Sequence, residues 1–223
     1  MRQNQEKRTF RGNQVDRAKT AFLLLPILLS GCGSSAAHKT AANYYYLNPN
    51  KDLSAIGRSA LVELANDSAF PQVSTDVTEA LFQALQKRQV FGLTLIRQSD
   101  PAWRGLQMDL SSAYSLEQLS AMRKTLNCEA VLVGAVTGFE PFPHLTIGLR
   151  LKLIDLTDGQ LLWALEQIWD TTDKTTRRRV KSYYKDRLLP GFETAQERLG
   201  TVSSLRFLKF VAYETAQTLQ PKR

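Results

Sequence analysis

The chain has 223 residues, of which 43% are hydrophobic and 22% are charged, and this composition excludes an intrinsically disordered protein. Two cysteines are too few for a disulfide-stapled scaffold. The formal net charge is +8, but the first 31 residues carry six basic and two acidic side chains, so the remaining 192 residues have a net charge of only +4. The bulk charge therefore does not favour a nucleic-acid partner, and the remaining chain is long enough for one domain with its own core.

The first 31 residues have the pattern of a cleavable secretory signal. A polar, basic stretch precedes nine apolar residues at 21–29. Nine residues at about 1.5 Å each are too few to span a bilayer core of roughly 30 Å. The motif Leu29-Ser30-Gly31-Cys32 resembles the lipobox of bacterial lipoproteins. That resemblance implies cleavage after Gly31 and a Cys32 that carries diacylglycerol on its sulfur and a further acyl chain on its amine.

The implied lipid anchor has consequences for location. Gly33 follows Cys32, in place of the Asp that retains lipoproteins in the inner membrane of Gram-negative bacteria. The resemblance therefore implies an outer-membrane protein that faces the periplasm. Residues 33–43 are small and polar, and they are predicted to form a flexible tether with a reach of about 20 Å. Residues 44–223 are then predicted to form a single periplasmic α/β domain with a helical C-terminal extension.

The next part of the chain alternates between strand and helix patterns. Period-2 alternation predicts a first strand over 56–65. An apolar helical stripe follows, which begins with a capping box formed by Asp76 and Glu79 and ends near Arg88. A second strand is predicted over 89–97.

A second helix is predicted after Ser115, which with Gln118 forms another capping box. The apolar residues expected to face inward on this helix are Leu116, Leu119, Met122 and Leu126. Residues 129–139 are apolar on both faces, which is typical of a central strand.

Residues 145–153 alternate strictly between apolar and polar side chains and predict the next strand. The Asp-Gly turn at 157–160 and the strand over 161–169 complete a three-stranded meander. Two helices are predicted at 172–188, which is strongly basic, and at 202–219. The apolar stripe of the last helix is expected to consist of Leu205, Leu208, Val211, Ala212, Thr215 and Leu219.

This order of elements, β-α-β-α-β-β-β-α-α, predicts the fold class. It is an α/β protein, a mixed-sheet α/β sandwich with helices packed on at least one face. The initial βαβ unit requires a right-handed crossover between parallel strands, and the C-terminal antiparallel meander adds its strands to the same sheet.

The element order and three stretches of sequence resemble a group of periplasmic lipoproteins. The stretches are 60–64 (A-L-V-E-L), 131–136 (V-L-V-G-A-V) and the hairpin 148–164. The group shares the fold of the amino-terminal domain of the Tol-system propeller protein. It includes the curli-export lipoprotein, the exopolysaccharide-export ring lipoprotein and the lipoprotein activators of penicillin-binding proteins. The resemblance covers residues 56–170 and implies a fold, which by itself does not fix an activity.

The sequence supplies few side chains that could perform catalysis. Its histidines are His38, in the predicted tether, and His144, in a predicted turn. Cys128 precedes an apolar strand, which favours a buried structural thiol over a nucleophile. No paired histidines or clustered cysteines offer a zinc site. We therefore predict no catalytic residues, no metal, no cofactor and a protein that is not an enzyme; the alternative is a hydrolase that uses His144 as its base.

Basic residues are concentrated in the predicted helix at 172–188. They form either a solvated helix face or a surface for anionic head groups or an acidic partner. The residues assigned to this candidate surface are Arg177, Arg178, Arg179, Lys181 and Lys185.

Aromatic residues are the second set of candidates for an interaction. Trp163 and Trp169 lie on the same face of one predicted strand, so they either pack in the core or contact another subunit. The tyrosines at 44–46 either dock onto the domain or make a contact at its rim.

Together these features predict a non-enzymatic, lipid-anchored protein of the cell envelope that acts in assembly, secretion or scaffolding at the periplasmic face of the outer membrane. Its partners would be the membrane, through the anchor, and envelope proteins. A homo-oligomeric ring is one arrangement of such a protein, and no nucleic acid is expected. The alternative is a lipoprotein activator of a cell-wall synthase or hydrolase.

Overall fold

The structure is a computed structural model, and it describes residues 44–104, 106, 114–185 and 203–220. All of these residues belong to the unit formed by residues 39–223. The predicted signal at 1–31, the lipidated Cys32 and the tether at 33–43 lie outside the described residues. The end of the predicted basic helix, 186–188, also lies outside them.

The part of the chain that the structure describes contains seven strands, which form one mixed sheet. Its order is β1-β7-β6-β5-β2-β4, with β3 beside β5. Three pairs of strands are parallel: β2–β4, β2–β5 and β3–β5. The other three pairs, β5–β6, β6–β7 and β7–β1, are antiparallel. The predicted mixed sheet and C-terminal meander are therefore confirmed. The strands are β1 (Tyr45–Leu47), β2 (Arg58–Val62), β3 (Ala65–Asn66), β4 (Gly92–Ile96), β5 (Ala130–Glu140), β6 (Thr146–Asp155) and β7 (Leu161–Asp170).

The described helices occupy both faces of this sheet. They are α1 (Val73–Arg88), α2 (Pro101–Arg104), α3 (Leu116–Leu126), α4 (Lys174–Lys185) and α5 (Ser204–Thr218), with a 3₁₀ turn at Leu53–Ala55. Strands β1 and β3 and the short helix α2 are additions to the predicted order. The other elements follow that order, so the α/β sandwich is confirmed.

Two apolar clusters lie on opposite faces of the sheet. On the first face α1, α4 and α5 pack against the meander, and the apolar residues of the strand predicted over 145–153 are all buried there. These residues are Leu145, Ile147, Leu149, Leu151 and Leu153. On the second face α2 and α3 cover β2, the start of β5 and the end of β6, through Trp103, Leu119, Met122 and Leu126. Both faces of β2 and of the start of β5 are therefore buried, as their continuous apolar runs require.

The two predicted capping boxes have different outcomes. At α3, Ser115 Oγ accepts a hydrogen bond from the Gln118 backbone N–H at 3.2 Å, and Gln118 Oε1 accepts one from the Ser115 N–H at 2.8 Å. That box is confirmed. Helix α1 instead begins at Val73, and Asp76 lies inside its first turn, so the predicted box of Asp76 and Glu79 is wrong. The earlier start buries Val73 against the core, which a start at Asp76 would leave in a loop.

Two leucines predicted to face inward are exposed. Leu116 begins α3 and is largely in solvent, whereas Leu119, one turn later, is buried. Leu205 is also exposed, because Phe207 and Phe210 take the core-facing side of α5. Residues two apart lie on opposite sides of a helix, so burial of the larger Phe207 turns Leu205 outward. The described helices include none with the length and hydrophobicity needed to cross a bilayer.

Candidate interaction surfaces

The basic helix α4 is started by an aspartate. Asp173 follows the end of β7, and its carboxylate accepts hydrogen bonds from the backbone N–H groups of Thr175 at 3.0 Å and Thr176 at 2.8 Å. These two hydrogen bonds, together with one from the Thr176 hydroxyl, lower the pKa of Asp173 to about 2. Asp173 is therefore ionised at neutral pH and fixes the position at which α4 leaves the sheet.

Helix α4 has a buried side and a basic side. Thr176, Val180 and Tyr184 face the core, and the Tyr184 hydroxyl donates to the Arg206 carbonyl at 2.6 Å. The opposite side carries exposed basic residues, which are Lys174, Arg177, Arg178, Lys181 and Lys185. Four of the five residues predicted for the basic surface are thus brought together, and Lys174 joins them.

Arg179 does not belong to this surface, contrary to the prediction. Its Nε lies 2.9 Å from Glu214 Oε1, and the other carboxylate oxygen of Glu214 accepts a hydrogen bond from Trp169 Nε1 at 2.7 Å. Glu214 is buried, and this burial raises its pKa, although the charge of Arg179 opposes the shift. Arg179 is turned inward because it neutralises a carboxylate that would otherwise be buried unpaired.

Trp163 and Trp169 are both fully buried beneath α5. Trp163 Nε1 donates to Thr218 Oγ1 at 3.0 Å, and Trp169 donates to Glu214. Both rings therefore pack in the core, which is one of the two predicted alternatives. A subunit contact through these rings is excluded because they present no surface to solvent.

The tyrosines at 44–46 dock onto the sheet. Tyr45 lies opposite Leu165 in an antiparallel pairing, so the residues after the predicted tether form the edge strand β1. Docking onto the domain is thus the alternative that the structure bears out. Their side chains remain at least partly exposed, and Tyr44, at 72%, is the most exposed of the three.

An open groove lies on the second face of the sheet, across β1, β7 and β6. It has a volume of about 470 Å³ and contains Tyr44, Tyr46 and Lys152. The ion pair of Arg150 and Glu166, 3.0 Å long, lies in the same groove and is exposed to solvent. Ile168 on β7 is 66% exposed on this face, beyond Glu166. The sequence patterns do not predict this groove, because it depends on the pairing of β1 with β7. The one signal in the sequence is the alternation in β6, which places its polar residues together on the face opposite the buried leucines.

A second, larger cavity lies at the start of β2. It has a volume of about 750 Å³, and its lining includes Arg58, Arg123 and Lys124. Glu129 Oε2 accepts a hydrogen bond from the Gly57 backbone N–H at 2.8 Å beside it. Arg123 and Lys124 lie in the last turn of α3, where basic side chains are favoured by the negative end of the helix dipole. Their position is therefore explained by the helix itself.

The residues considered for catalysis are not assembled into a site. His144 is exposed in the turn between β5 and β6. Cys128 is buried, and burial raises the pKa of its thiol to about 11, which disfavours the nucleophilic thiolate. Within the part of the chain that the structure describes, no three His, Cys, Asp or Glu side chains come together as metal ligands.

The chain is similar in fold to solved structures, but no family model and no curated protein matches it. The PelC dodecamer from Paraburkholderia phytofirmans is 15% identical, with 80% of this chain and 96% of that chain covered and a TM-score of 0.47. Lipoprotein GNA1162 from Neisseria meningitidis is 14% identical, with 61% and 99% covered and a TM-score of 0.40. The LpoB C-terminal domain from Salmonella enterica is 19% identical, with 51% and 82% covered and a TM-score of 0.37. The resemblance expected from the sequence holds at the level of the fold.

Proposed function

We propose that this protein is a non-enzymatic, lipid-anchored envelope protein that acts in assembly, secretion or scaffolding at the periplasmic face of the outer membrane. It acts by presenting a surface to other envelope proteins. The observation that carries this proposal is the open second face of the sheet over β1, β7 and β6. The lipobox ending at Cys32 supports the location, and it lies outside the described residues.

The composition of the open face suits a protein partner. Tyr44, Tyr46 and Ile168 supply aromatic and aliphatic area, and the exposed pair of Arg150 and Glu166 supplies donors and acceptors. Interfaces between proteins combine such residues, with aromatic side chains and Arg enriched over the remaining surface. Strand β1 is also the last strand on this side of the described sheet, and an edge strand can pair with an added strand.

Site-specific photo-crosslinking from the full chain in its native host tests this proposal. A photo-reactive residue at Ile168 or Tyr46 is expected to capture a defined envelope protein. The matched control is Gln83, which is exposed on α1 on the other side of the sheet. Equal capture from Gln83, or no capture from either position on the open face, would contradict the proposal.

The captured species also separates the arrangements considered from the sequence. Adducts between copies of this chain indicate the homo-oligomeric ring. A one-to-one adduct with a cell-wall synthase or hydrolase indicates the activator alternative. Adducts with subunits of an export machine indicate a role in secretion.

A further inference from the structure

Three features of the chain meet at one end of the sheet. Thr146 lies opposite Asp170, so the turn between β5 and β6 is beside the end of β7. Helix α4 begins there, at Lys174. The chain also enters the described domain towards this end, because the Tyr44 carbonyl accepts a hydrogen bond from the Glu166 N–H, four residues before β7 ends. We call this region, from the 141–145 turn to the first turns of α4, the Phe142 end.

Apolar side chains are exposed at the Phe142 end and beside it. Phe142, in the turn between β5 and β6, is 84% exposed, which is the highest value among the large hydrophobic residues that the structure describes. Phe70 is also exposed, and its ring packs edge-on against Phe139 at 5.5 Å, near the end of β5. Ile168 is exposed two residues before the end of β7. Phe142 therefore makes little contact with the core and presents apolar area to water.

Basic residues at the start of α4 are not explained by the helix itself. Lys174 is the first residue of α4, and Arg177 and Arg178 follow about one turn later. Cations at a helix N-terminus face the positive end of the dipole, and like charges four apart, such as Lys174 and Arg178, repel each other. These positions therefore cost free energy in the isolated chain, which a bound anion would offset.

Acidic residues also lie near this end, and the carboxylates of two of them accept hydrogen bonds from backbone N–H groups. Asp170 Oδ1 accepts a hydrogen bond from the Thr172 N–H at 2.7 Å, and Asp173 caps α4. Glu140, the last residue of β5, and Asp67, the residue after β3, are exposed. The cationic character of the Phe142 end is therefore confined to the α4 side.

We propose that the Phe142 end docks on an anionic lipid bilayer. Phe142 enters the interfacial layer, and Lys174, Arg177 and Arg178 contact head-group phosphates. This deepens the proposed function and rests on its lipid anchor, because the predicted tether from Cys32 reaches about 20 Å and joins the domain near this end. A protruding ring beside a separate cationic element is the pattern that binds membrane interfaces, whereas an acidic protein would not require the exposed ring.

Quenching by brominated lipid acyl chains tests the docking. The full chain is produced in its native host with its anchor and reconstituted in phosphatidylethanolamine vesicles that contain phosphatidylglycerol. Trp163 and Trp169 are fully buried and Trp103 is nearly so, and their fluorescence is therefore shielded from the brominated chains. A Phe142→Trp variant adds one exposed indole whose quenching can be measured against that fluorescence. The matched control is Leu116→Trp, which is 71% exposed at the start of α3. Leu119 of this helix lies against Gly159, in the turn at the other end of β7.

The indole of Phe142→Trp is expected to be quenched several-fold more strongly than that of Leu116→Trp. The double variant Arg177→Glu/Arg178→Glu should weaken docking by at least about fivefold for each basic residue removed, because each new carboxylate also repels the anionic head groups. Its matched control, Arg123→Glu/Lys124→Glu on α3, should leave the quenching unchanged. Replacement of phosphatidylglycerol by phosphatidylcholine should weaken docking in the same direction as the Arg177→Glu/Arg178→Glu variant.

The outcomes separate this inference from the proposed function. If the chain carries fatty acid on Cys32 and floats with the vesicles, but both indoles are quenched equally, docking of the Phe142 end is overturned and the anchor stands. If no fatty acid is found, the anchor fails, and quenching measured with added vesicles still decides whether this end binds lipid. If quenching is unchanged both in the Arg177→Glu/Arg178→Glu variant and in vesicles without phosphatidylglycerol, the proposed preference for anionic lipid is overturned.

Discussion

At the scale of single residues, Glu214 connects three parts of the fold. It lies on α5, accepts a hydrogen bond from Trp169 on β7 and pairs with Arg179 on α4. We expect Glu214→Ala to lower the free energy of unfolding by about 3 kcal/mol, because it leaves a buried indole N–H and a half-buried guanidinium without their acceptor. Urea unfolding measures this loss. Glu166→Ala is the matched control: it breaks the exposed pair with Arg150 and should cost less than about 1 kcal/mol.

Glu214 also predicts a dependence of stability on pH. Burial raises the pKa of Glu214 in the folded protein above the ordinary value of 4.5 for a glutamate. The folded state then keeps a proton that the unfolded state has released, so this contribution is fully present below pH 4.5 and is lost as the pH rises through the folded pKa. Glu214→Gln should remove this fall in stability while it keeps an acceptor for Trp169. A profile that is identical in both proteins would contradict the assignment.

At the scale of elements, β5 and β6 pair closely because of one glycine. A Cβ at Gly134 would overlap the Arg150 carbonyl oxygen and would lie 2.7 Å from a methyl carbon of Leu151. We expect Gly134→Ala to force the two strands apart and to cost about 3 kcal/mol, at the upper end of overpacking effects. Gly138, at the register shift of the same strand, is the matched control, since a Cβ there meets nothing within 4 Å. The urea midpoint of Gly134→Ala should be clearly lower than that of Gly138→Ala. Equal midpoints would contradict the prediction, because β5 and β6 would then accommodate the added methyl group without loss of stability.

Sequence patterns predict the elements in which a regular pattern runs over many residues or in which a local motif marks the start. Residues 145–153, which include most of β6, alternate between apolar and polar side chains, and α3 begins with a capping box, so both elements are found without knowledge of their neighbours. Strand β1 has three residues and no alternation, and it exists because it pairs with β7 far along the chain. The two-residue β3 depends in the same way on β5. Short strands of this kind are created by tertiary pairing, which a local pattern does not contain.

The candidate surfaces show the same division. The basic side of α4 follows from its sequence, but Arg177, Arg178 and Arg179 are chemically identical there. Only the position of Glu214, 35 residues further along the chain, separates Arg179 from the other two. The open groove and the Phe142 end likewise combine residues from strands that are distant in sequence. Their side chains could be enumerated from the sequence, whereas their juxtaposition required the register of the sheet.

At the scale of the whole molecule, both proposed surfaces depend on the anchor at Cys32. Several acyl chains, at about 0.8 kcal/mol for each buried CH₂, would hold the protein at a bilayer where one chain would not. We therefore expect protein from the native host to begin at Cys32, to carry fatty acid and to sediment with membranes. Intact-mass spectrometry of the purified chain measures the first two properties.

The two cysteines of the chain provide a matched pair for this test. Cys32→Ser should abolish acylation, because a hydroxyl cannot replace the thiol as the acceptor of diacylglycerol. Cys128→Ser should leave acylation intact, since the Cys128 thiol is buried in the folded domain and its pKa is raised to about 11. Detection of residues 1–31 still attached to a wild-type chain without fatty acid would contradict the proposed location. It would also remove the restraint that brings the Phe142 end to a membrane, because the remaining affinity would then rest on one exposed ring and a few basic side chains.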